Sequence, residues 1–99
     1  MAIAVQLDLH GATLEQYDRI NEEFGLLPGG PASRSEIFHW VAATDNGVRV
    51  VDVWESREAF DAFAREKLAP ILQEVGVPQP PEMQFFEVHN YLVGRPRNR

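Results

Sequence analysis

Two strand-like runs joined by a tight-turn signal constrain the fold of this chain more than any other feature. Residues 36–44 and 48–55 are rich in aromatic and β-branched side chains, and Asp45-Asn46-Gly47 separates them. Asn-Gly between two such runs is the strongest short-range signal for a β-hairpin. We expect the last two residues of that tripeptide to form the turn, which pairs Asp45 with Val48 and sets the register of every later pair.

Both faces of this predicted hairpin are mostly apolar. One face carries Ile37, His39, Val41, Ala43, Val48, Val50, Asp52 and Trp54. The opposite face carries Phe38, Trp40, Ala42, Thr44, Arg49, Val51, Val53 and Glu55. An antiparallel sheet with one face in water alternates between apolar and polar positions. Because this hairpin does not, we expect both of its faces to be covered.

The rest of the chain supplies two more strands and two helices. Strict alternation over residues 2–9 predicts the first strand, and residues 83–90 predict the last. The predicted helices run between residues 13 and 25 and between residues 56 and 76, each with a Ser or Thr cap and a glycine stop, and Pro70 kinks the second. The order βαββαβ with right-handed crossovers predicts an α+β, ferredoxin-like fold, whose four-stranded antiparallel sheet carries both helices on one face.

Length and charge limit what the chain does. Ninety-nine residues allow one domain, which we expect over residues 1–93, followed by a polar tail over 94–99. The net charge of −6 repels phosphate backbones and anionic lipids, so neither nucleic acid nor a membrane is an expected partner. The absence of a signal-peptide pattern and of a long apolar run predicts a cytoplasmic protein.

Two helices cover only one face of a sheet, and the other face then exposes tryptophan and several valines. An exposed apolar patch made of such side chains is typical of an interaction surface. A second copy of the chain, related by a two-fold axis, is the simplest cover and predicts a homodimer. The alternative is that loops cover the face, although the long loop over residues 26–33 is rich in Gly and Pro.

The element order and the run Val51-Asp52-Val53-Trp54-Glu55-Ser56-Arg57-Glu58-Ala59-Phe60 resemble the dimeric α/β-barrel superfamily, and within it the antibiotic-biosynthesis-monooxygenase-like domains. The resemblance implies ferredoxin-like subunits that pair as a dimeric α/β barrel, each with a ligand pocket between sheet and helices. Members include oxygenases that need no metal or flavin, haem-degrading enzymes and lactone isomerases. Many members carry a histidine near the position of Phe63, where this chain is apolar.

His39 and Asp52 are the polar exceptions on their face, and the predicted register makes them diagonal neighbours. A carboxylate beside an imidazole stabilises the protonated ring or fixes the tautomer of the neutral one. His39 is therefore the candidate base, Asp52 its assistant, and Trp54 an aromatic wall of the pocket. The alternative is that His39 and Asp52 satisfy each other within the core.

Four further side chains are candidate ligand contacts. Tyr17 and Asn21 lie one turn apart on the inward stripe of the first helix, while His10 ends the first predicted strand and His89 lies near the end of the last. Each also has a structural interpretation: a packed tyrosine ring, a polar helix edge, or a solvated histidine at a strand end.

No cofactor is expected. The three histidines show no ligand spacing for a metal, cysteine is absent, and the predicted helices offer a haem iron no His, Cys or Met, which leaves a tyrosine as the remaining axial ligand. The sequence favours a homodimer that binds a small, apolar or aromatic molecule. If it is an enzyme, we expect cofactor-independent monooxygenation or isomerisation of an aromatic or enolisable substrate, and the alternative is a ligand-binding dimer without catalysis.

Overall fold

The computed structural model describes residues 1–30, 32–33 and 35–94. Its strands are β1 (Ile3–His10), β2 (Glu36–Thr44), β3 (Gly47–Trp54) and β4 (Glu82–Glu87). Its helices are α1 (Leu14–Phe24), α2 (Arg57–Phe63), the π-helical turn π1 (Ala64–Leu68) and α3 (Ala69–Val75). The order confirms the predicted βαββαβ pattern, with α2, π1 and α3 following one another directly. Of the predicted tail, residues 95–99 lie outside the described residues.

The four strands form one antiparallel sheet in the order β2-β3-β1-β4, which confirms the ferredoxin-like prediction. Alternate residues of β1 and β3 are buried against the helices, as their period of two requires. The buried apolar core is formed by Val5, Leu7, Leu9, Ala12, Tyr17, Ile20, Val48, Val50, Trp54, Phe60, Ile71 and Leu72. The core therefore lies between the sheet and one layer of helices.

The helix ends follow their sequence signals. Thr13 accepts a hydrogen bond from the backbone of Gln16, whose side chain accepts one from the backbone of Thr13 in return, and this capping box begins α1. The predicted interruption at Pro70 takes the form of π1, in which Ala69 N–H donates to the carbonyl of Ala64. Proline lacks an N–H and crowds the preceding turn, so a wider turn next to it accommodates the ring.

The hairpin register differs from the prediction. Thr44 pairs with Gly47, so that Asp45 and Asn46 form the turn. Gly47 has no positive φ and serves a different purpose: a Cβ on it would collide with the carbonyl of Leu9 in β1. The shift of two residues keeps residues 38–44 and 48–54 on their predicted faces, but it places His39 directly opposite Asp52 rather than on the diagonal.

Two strand ends also differ from their predictions. β2 contains a bulge, because Glu36 pairs with Trp54 while Phe38 pairs with Val53, and Ile37 is the extra residue. At the other edge of the sheet, β4 ends at Glu87, three residues earlier than expected. The bulge reverses the face on which Glu36 lies.

The sheet face away from the helices carries the apolar patch that the hairpin pattern predicts, next to the ion pair of Arg49 and Asp8. Phe38, Trp40 and Phe86 are about half exposed there, with Val51 and Val53 between them. The described part of the chain contains no helix long and apolar enough to cross a membrane.

Candidate functional site

Two adjoining cavities lie where α1 crosses the β2 edge of the sheet. The inner pocket, about 50 Å3, lies between sheet and helices and is mostly apolar. The outer cleft, about 550 Å3, is bounded by α1, the segment 26–30 and β2. Tyr17, Asn21, Leu26 and His39 line both cavities. A small molecule in the cleft therefore meets these four side chains before it reaches the core.

His39 is held by a partner on each ring nitrogen. Its Nε2 lies 2.7 Å from the hydroxyl of Tyr17, and its Nδ1 lies 3.0 Å from Oε2 of Glu36. Oδ1 of Asp52, directly across the strand pair, lies 3.5 Å from the same Nδ1. The predicted neighbour Asp52 is thus close, but Glu36 makes the shorter contact.

Glu36 is the residue that sequence reasoning missed. Strand alternation places it on the face opposite His39, and only the bulge turns it toward the helices. Its side chain is 3% exposed, and its Oε1 accepts a hydrogen bond of 3.3 Å from Ser33 N–H. The sequence offers an acid three residues before His39, but no residue that marks a bulge between them.

Asp52 is a buried acid with one free oxygen. Trp54 Nε1–H donates to its Oδ2 at 3.3 Å, whereas its Oδ1 is buried and has no hydrogen-bond partner among the described residues. Burial, followed by the nearby charge of Glu36, raises the pKa of Asp52 to about 8. At neutral pH this carboxyl is therefore mostly protonated.

The other two titratable groups of the site are shifted as well. The hydrogen bond to Glu36 raises the pKa of His39 above its ordinary value, against the opposing effect of burial. An imidazolium ring donates from both nitrogens, which suits a carboxylate on Nδ1 and a phenolic oxygen on Nε2. Burial also raises the pKa of Tyr17, so that its hydroxyl keeps its proton at neutral pH.

The remaining predicted site residues lie apart from this cluster or behind it. Trp54 is 2% exposed and lines neither cavity, and instead supports Asp52 from the core. His10 pairs with Glu82 near the hairpin turn, and His89 is exposed beyond the end of β4. The structure therefore brings together His39, Asp52, Tyr17 and Asn21 and leaves the two other histidines elsewhere.

Comparison with known proteins finds similarity in structure. No model of a known family matches the chain, and no curated protein matches it either. SnoaB, a cofactor-independent oxygenase from Streptomyces nogalater, is 19% identical over 92% of this chain and 94% of its own, with a TM-score of 0.55. The monooxygenase from the gene ActVA-Orf6 of Streptomyces coelicolor, solved with nanaomycin D, is 16% identical over 95% and 92% of the two chains, with a TM-score of 0.53.

MhuD, solved with two manganese protoporphyrin IX molecules per active site, is 17% identical over 95% of this chain and all of its own, with a TM-score of 0.53. Identities this low carry the fold and no more. The chain has the ferredoxin-like fold of the antibiotic-biosynthesis-monooxygenase-like proteins, as the run through Trp54 and Ser56 predicts.

Proposed function

We propose that this chain forms a homodimer in which each subunit binds a small aromatic or enolisable molecule and oxygenates it without an organic cofactor, using His39 as the base. The observation that carries this proposal is the 2.7 Å contact between Tyr17 and His39 at the junction of the two cavities. It places a polarised hydroxyl and an imidazole at the wall of a cleft of about 550 Å3, a volume typical of small-molecule sites.

Proton removal follows from the hydrogen bonds of the site. In neutral His39 the Nδ1–H donates to Glu36, which leaves the Nε2 lone pair to accept the proton of Tyr17. A phenolic or enolic proton of the substrate passes to the Tyr17 oxygen as the proton of Tyr17 passes to Nε2. Glu36 then stabilises the imidazolium, as a carboxylate does in other base-orienting pairs.

Dioxygen is the co-reactant. The electron-rich carbanion left by deprotonation forms a bond to one oxygen atom of dioxygen. The peroxide anion takes the proton back from His39 through Tyr17, and the hydroperoxide then loses water. A CH2 group beside an aromatic ring becomes a carbonyl group, one oxygen atom enters the product and the other leaves as water. The oxygenase and monooxygenase activities named for SnoaB and the ActVA-Orf6 protein support this reaction class through the shared fold.

The test is oxygen uptake with phenols and enolisable aromatic ketones as substrates. His39→Gln is expected to lower kcat/KM at least 100-fold, because general-base catalysis contributes roughly 100- to 10,000-fold. His10→Gln is the matched control. His10 also pairs with a glutamate, but it lies near the hairpin turn, away from His39. Equal oxygen uptake by the His39 variant and the wild type contradicts the proposed base.

The homodimer part of the proposal rests on the apolar face away from the helices. We expect sedimentation to give a particle of twice 11.2 kDa at micromolar concentration. Val51→Glu, in the middle of that face, is expected to give monomers, whereas Leu14→Glu, at the start of α1, is expected to leave the dimer intact. A wild-type monomer at micromolar concentration contradicts the assembly.

A second candidate is a binding protein without catalysis. It is favoured by the fact that both nitrogens of His39 already have partners, which is how a structural histidine is satisfied. In that case aromatic ligands bind, oxygen uptake is absent, and His39→Gln lowers stability rather than turnover. Calorimetric binding measured beside oxygen uptake separates the two candidates.

A further inference from the structure

The proposed proton transfer uses Glu36 and His39 but not Asp52, which lies beside both of them. The carboxyl groups of Glu36 and Asp52 and the imidazole of His39 each offer one possible ligand atom, and these atoms lie within 4.8 Å of one another. Oε2 of Glu36 is 3.0 Å from Nδ1 of His39, and Oδ1 of Asp52 is 3.5 Å from it. Ligand atoms about 2.1 Å from one metal ion lie about 3.0–3.4 Å apart, so the spacing suits a shared ion.

We propose that Glu36, His39 and Asp52 bind a divalent first-row transition-metal ion through Oε2, Nδ1 and Oδ1. One imidazole and two carboxylates form a mixed nitrogen and oxygen set, which suits Zn²⁺, Mn²⁺ or Fe²⁺. Ca²⁺ and Mg²⁺ prefer oxygen alone, and Cu⁺ prefers sulfur.

The opposite atom of each ligand is fixed by a hydrogen bond. Ser33 N–H donates to Oε1 of Glu36 at 3.3 Å, and Trp54 Nε1–H donates to Oδ2 of Asp52 at 3.3 Å. The hydroxyl of Tyr17 lies 2.7 Å from Nε2 of His39. Metal ligands in proteins are oriented by such outer partners, and here all three ligands have one.

A buried oxygen atom of Asp52 independently supports a bound metal ion. Its side chain is only 7% exposed, and its Oδ1, aimed at Nδ1 of His39, has no hydrogen-bond partner within the described residues. A buried polar atom without a partner is costly, so native structures rarely leave one. A metal ion bound to Oδ1 removes that cost.

The charges also favour a cation at this position. In the described part of the chain, His39 is the ion-pair partner of both carboxyls, and neither is paired with a lysine or an arginine. A divalent ion balances two carboxylates beside a neutral imidazole.

A bound ion also affects the proposed oxygenation. A metal on Nδ1 leaves the imidazole proton on Nε2, where it donates to Tyr17, so that His39 cannot accept a proton. All three ligands line the inner pocket, which leaves room for water or a substrate oxygen on the ion. His39 therefore acts as a base only when the site holds no metal ion.

The test is metal binding to the full chain, measured without substrate. Protein treated with chelator and then dialysed is titrated with Zn²⁺ by calorimetry, and with Co²⁺ while its visible absorption is recorded. We expect one ion per chain, visible Co²⁺ bands typical of nitrogen and oxygen ligands, and at least tenfold weaker binding by Asp52→Asn and Glu36→Gln. Circular dichroism checks that both variants are folded.

Glu82→Gln is the matched control, because it removes the carboxylate that faces His10 at the same distance of 3.0 Å. It is expected to leave the affinity for Zn²⁺ unchanged. Less than about one fifth of an ion per chain overturns the proposal, and so does an affinity that falls only in the Glu82 variant. Because the binding is measured without turnover, loss of oxygenase activity does not affect this result, and the two proposals fail separately.

Discussion

Two histidines of this chain each lie 3.0 Å from a glutamate, but only the pair of His39 and Glu36 lines the inner pocket. In the pair of His10 and Glu82 the side chains are 34% and 67% exposed, whereas in the pair of His39 and Glu36 they are 19% and 3% exposed. The hydrogen bond to the glutamate is the main cause that raises the histidine pKa in both pairs. Distance and the direction of the pKa shift therefore do not distinguish them.

The difference lies in what surrounds each pair. The pair of His10 and Glu82 lies across a sheet edge in contact with water, which screens its charges. The pair of His39 and Glu36 is enclosed and has two further polar neighbours, Asp52 on one ring nitrogen and Tyr17 on the other. Water screens the contact between His39 and Glu36 less, and Asp52 and Tyr17 add two titratable groups beside it.

The largest expected effect is thermal stabilisation by metal. Free Zn²⁺ at 100 times its Kd adds about 2.7 kcal/mol to the free energy of unfolding of a protein with one site. For a chain of this length, that corresponds to a rise in Tm of roughly 10–20 °C. Scanning calorimetry of wild type and Asp52→Asn measures it.

The Asp52 variant is expected to gain at most about half of the wild-type increase, because tenfold weaker binding leaves about 1.4 kcal/mol, while Glu82→Gln gains all of it. Equal gains by the Asp52 variant and the wild type contradict a site at the buried pair.

The next effect concerns turnover. Glu36→Gln keeps the shape of the side chain but removes the charge that orients His39, and positioning partners of this kind contribute about 10- to 100-fold. We expect kcat of oxygenation in chelator to fall by that factor with little change in KM, and Glu82→Gln to leave both constants unchanged. A loss of equal size in both variants shows that burial does not matter and removes the distinction between the pairs.

Asp52→Asn is expected to stabilise the chain in chelator. Folding at neutral pH disfavours the Asp52 carboxylate, since its pKa rises to about 8, whereas asparagine has no charge to lose and still accepts from Trp54. The expected gain is about 1 kcal/mol, or 4–8 °C in Tm.

The pH dependence of this gain has a defined sign. A raised acid pKa lowers stability between the unfolded value near 4 and the folded value, so the advantage of Asn shrinks as pH falls from 8 toward 4. Denaturant unfolding at pH 4.5 and pH 7.5 measures it, and a constant difference rules out this cause.

Much of the fold was predictable because its signals are local. The alternation in β1, the capping box of α1 and the element order each follow from a few neighbouring residues, and the structure confirms them. The hairpin register depends instead on β1 packing against Gly47, which is distant in sequence. The residues of the turn alone do not predict the contact between Gly47 and β1.

The same reasoning explains the site. His39 and Asp52 stand out as polar residues on an apolar face, and Tyr17 by its helical spacing, so the sequence was sufficient to predict that these three side chains lie close together. Glu36 reaches the site only through the bulge at Ile37, which reverses the strand alternation. No residue in that segment indicates a bulge from the sequence. The metal proposal depends on Glu36, and it could therefore come only from the structure.

The smallest expected effect concerns the exposed pair. The pKa of His10 is raised, mainly by the hydrogen bond to Glu82, with smaller contributions from the charges of Glu82 and Asp8. In 1 M NaCl the screening length falls to about 3 Å, so the pKa of His10 in NMR titration should move toward its ordinary value. Glu82→Gln should lower it in the same direction.

A histidine whose pKa is raised on folding contributes stability below its unfolded pKa and loses that contribution as pH rises through the folded value. Because His10 is in contact with solvent, neither high salt nor Glu82→Gln should change the Tm measurably. A clear fall in Tm contradicts the contrast between the pairs, because His10 and Glu82 would then stabilise the sheet edge despite their exposure.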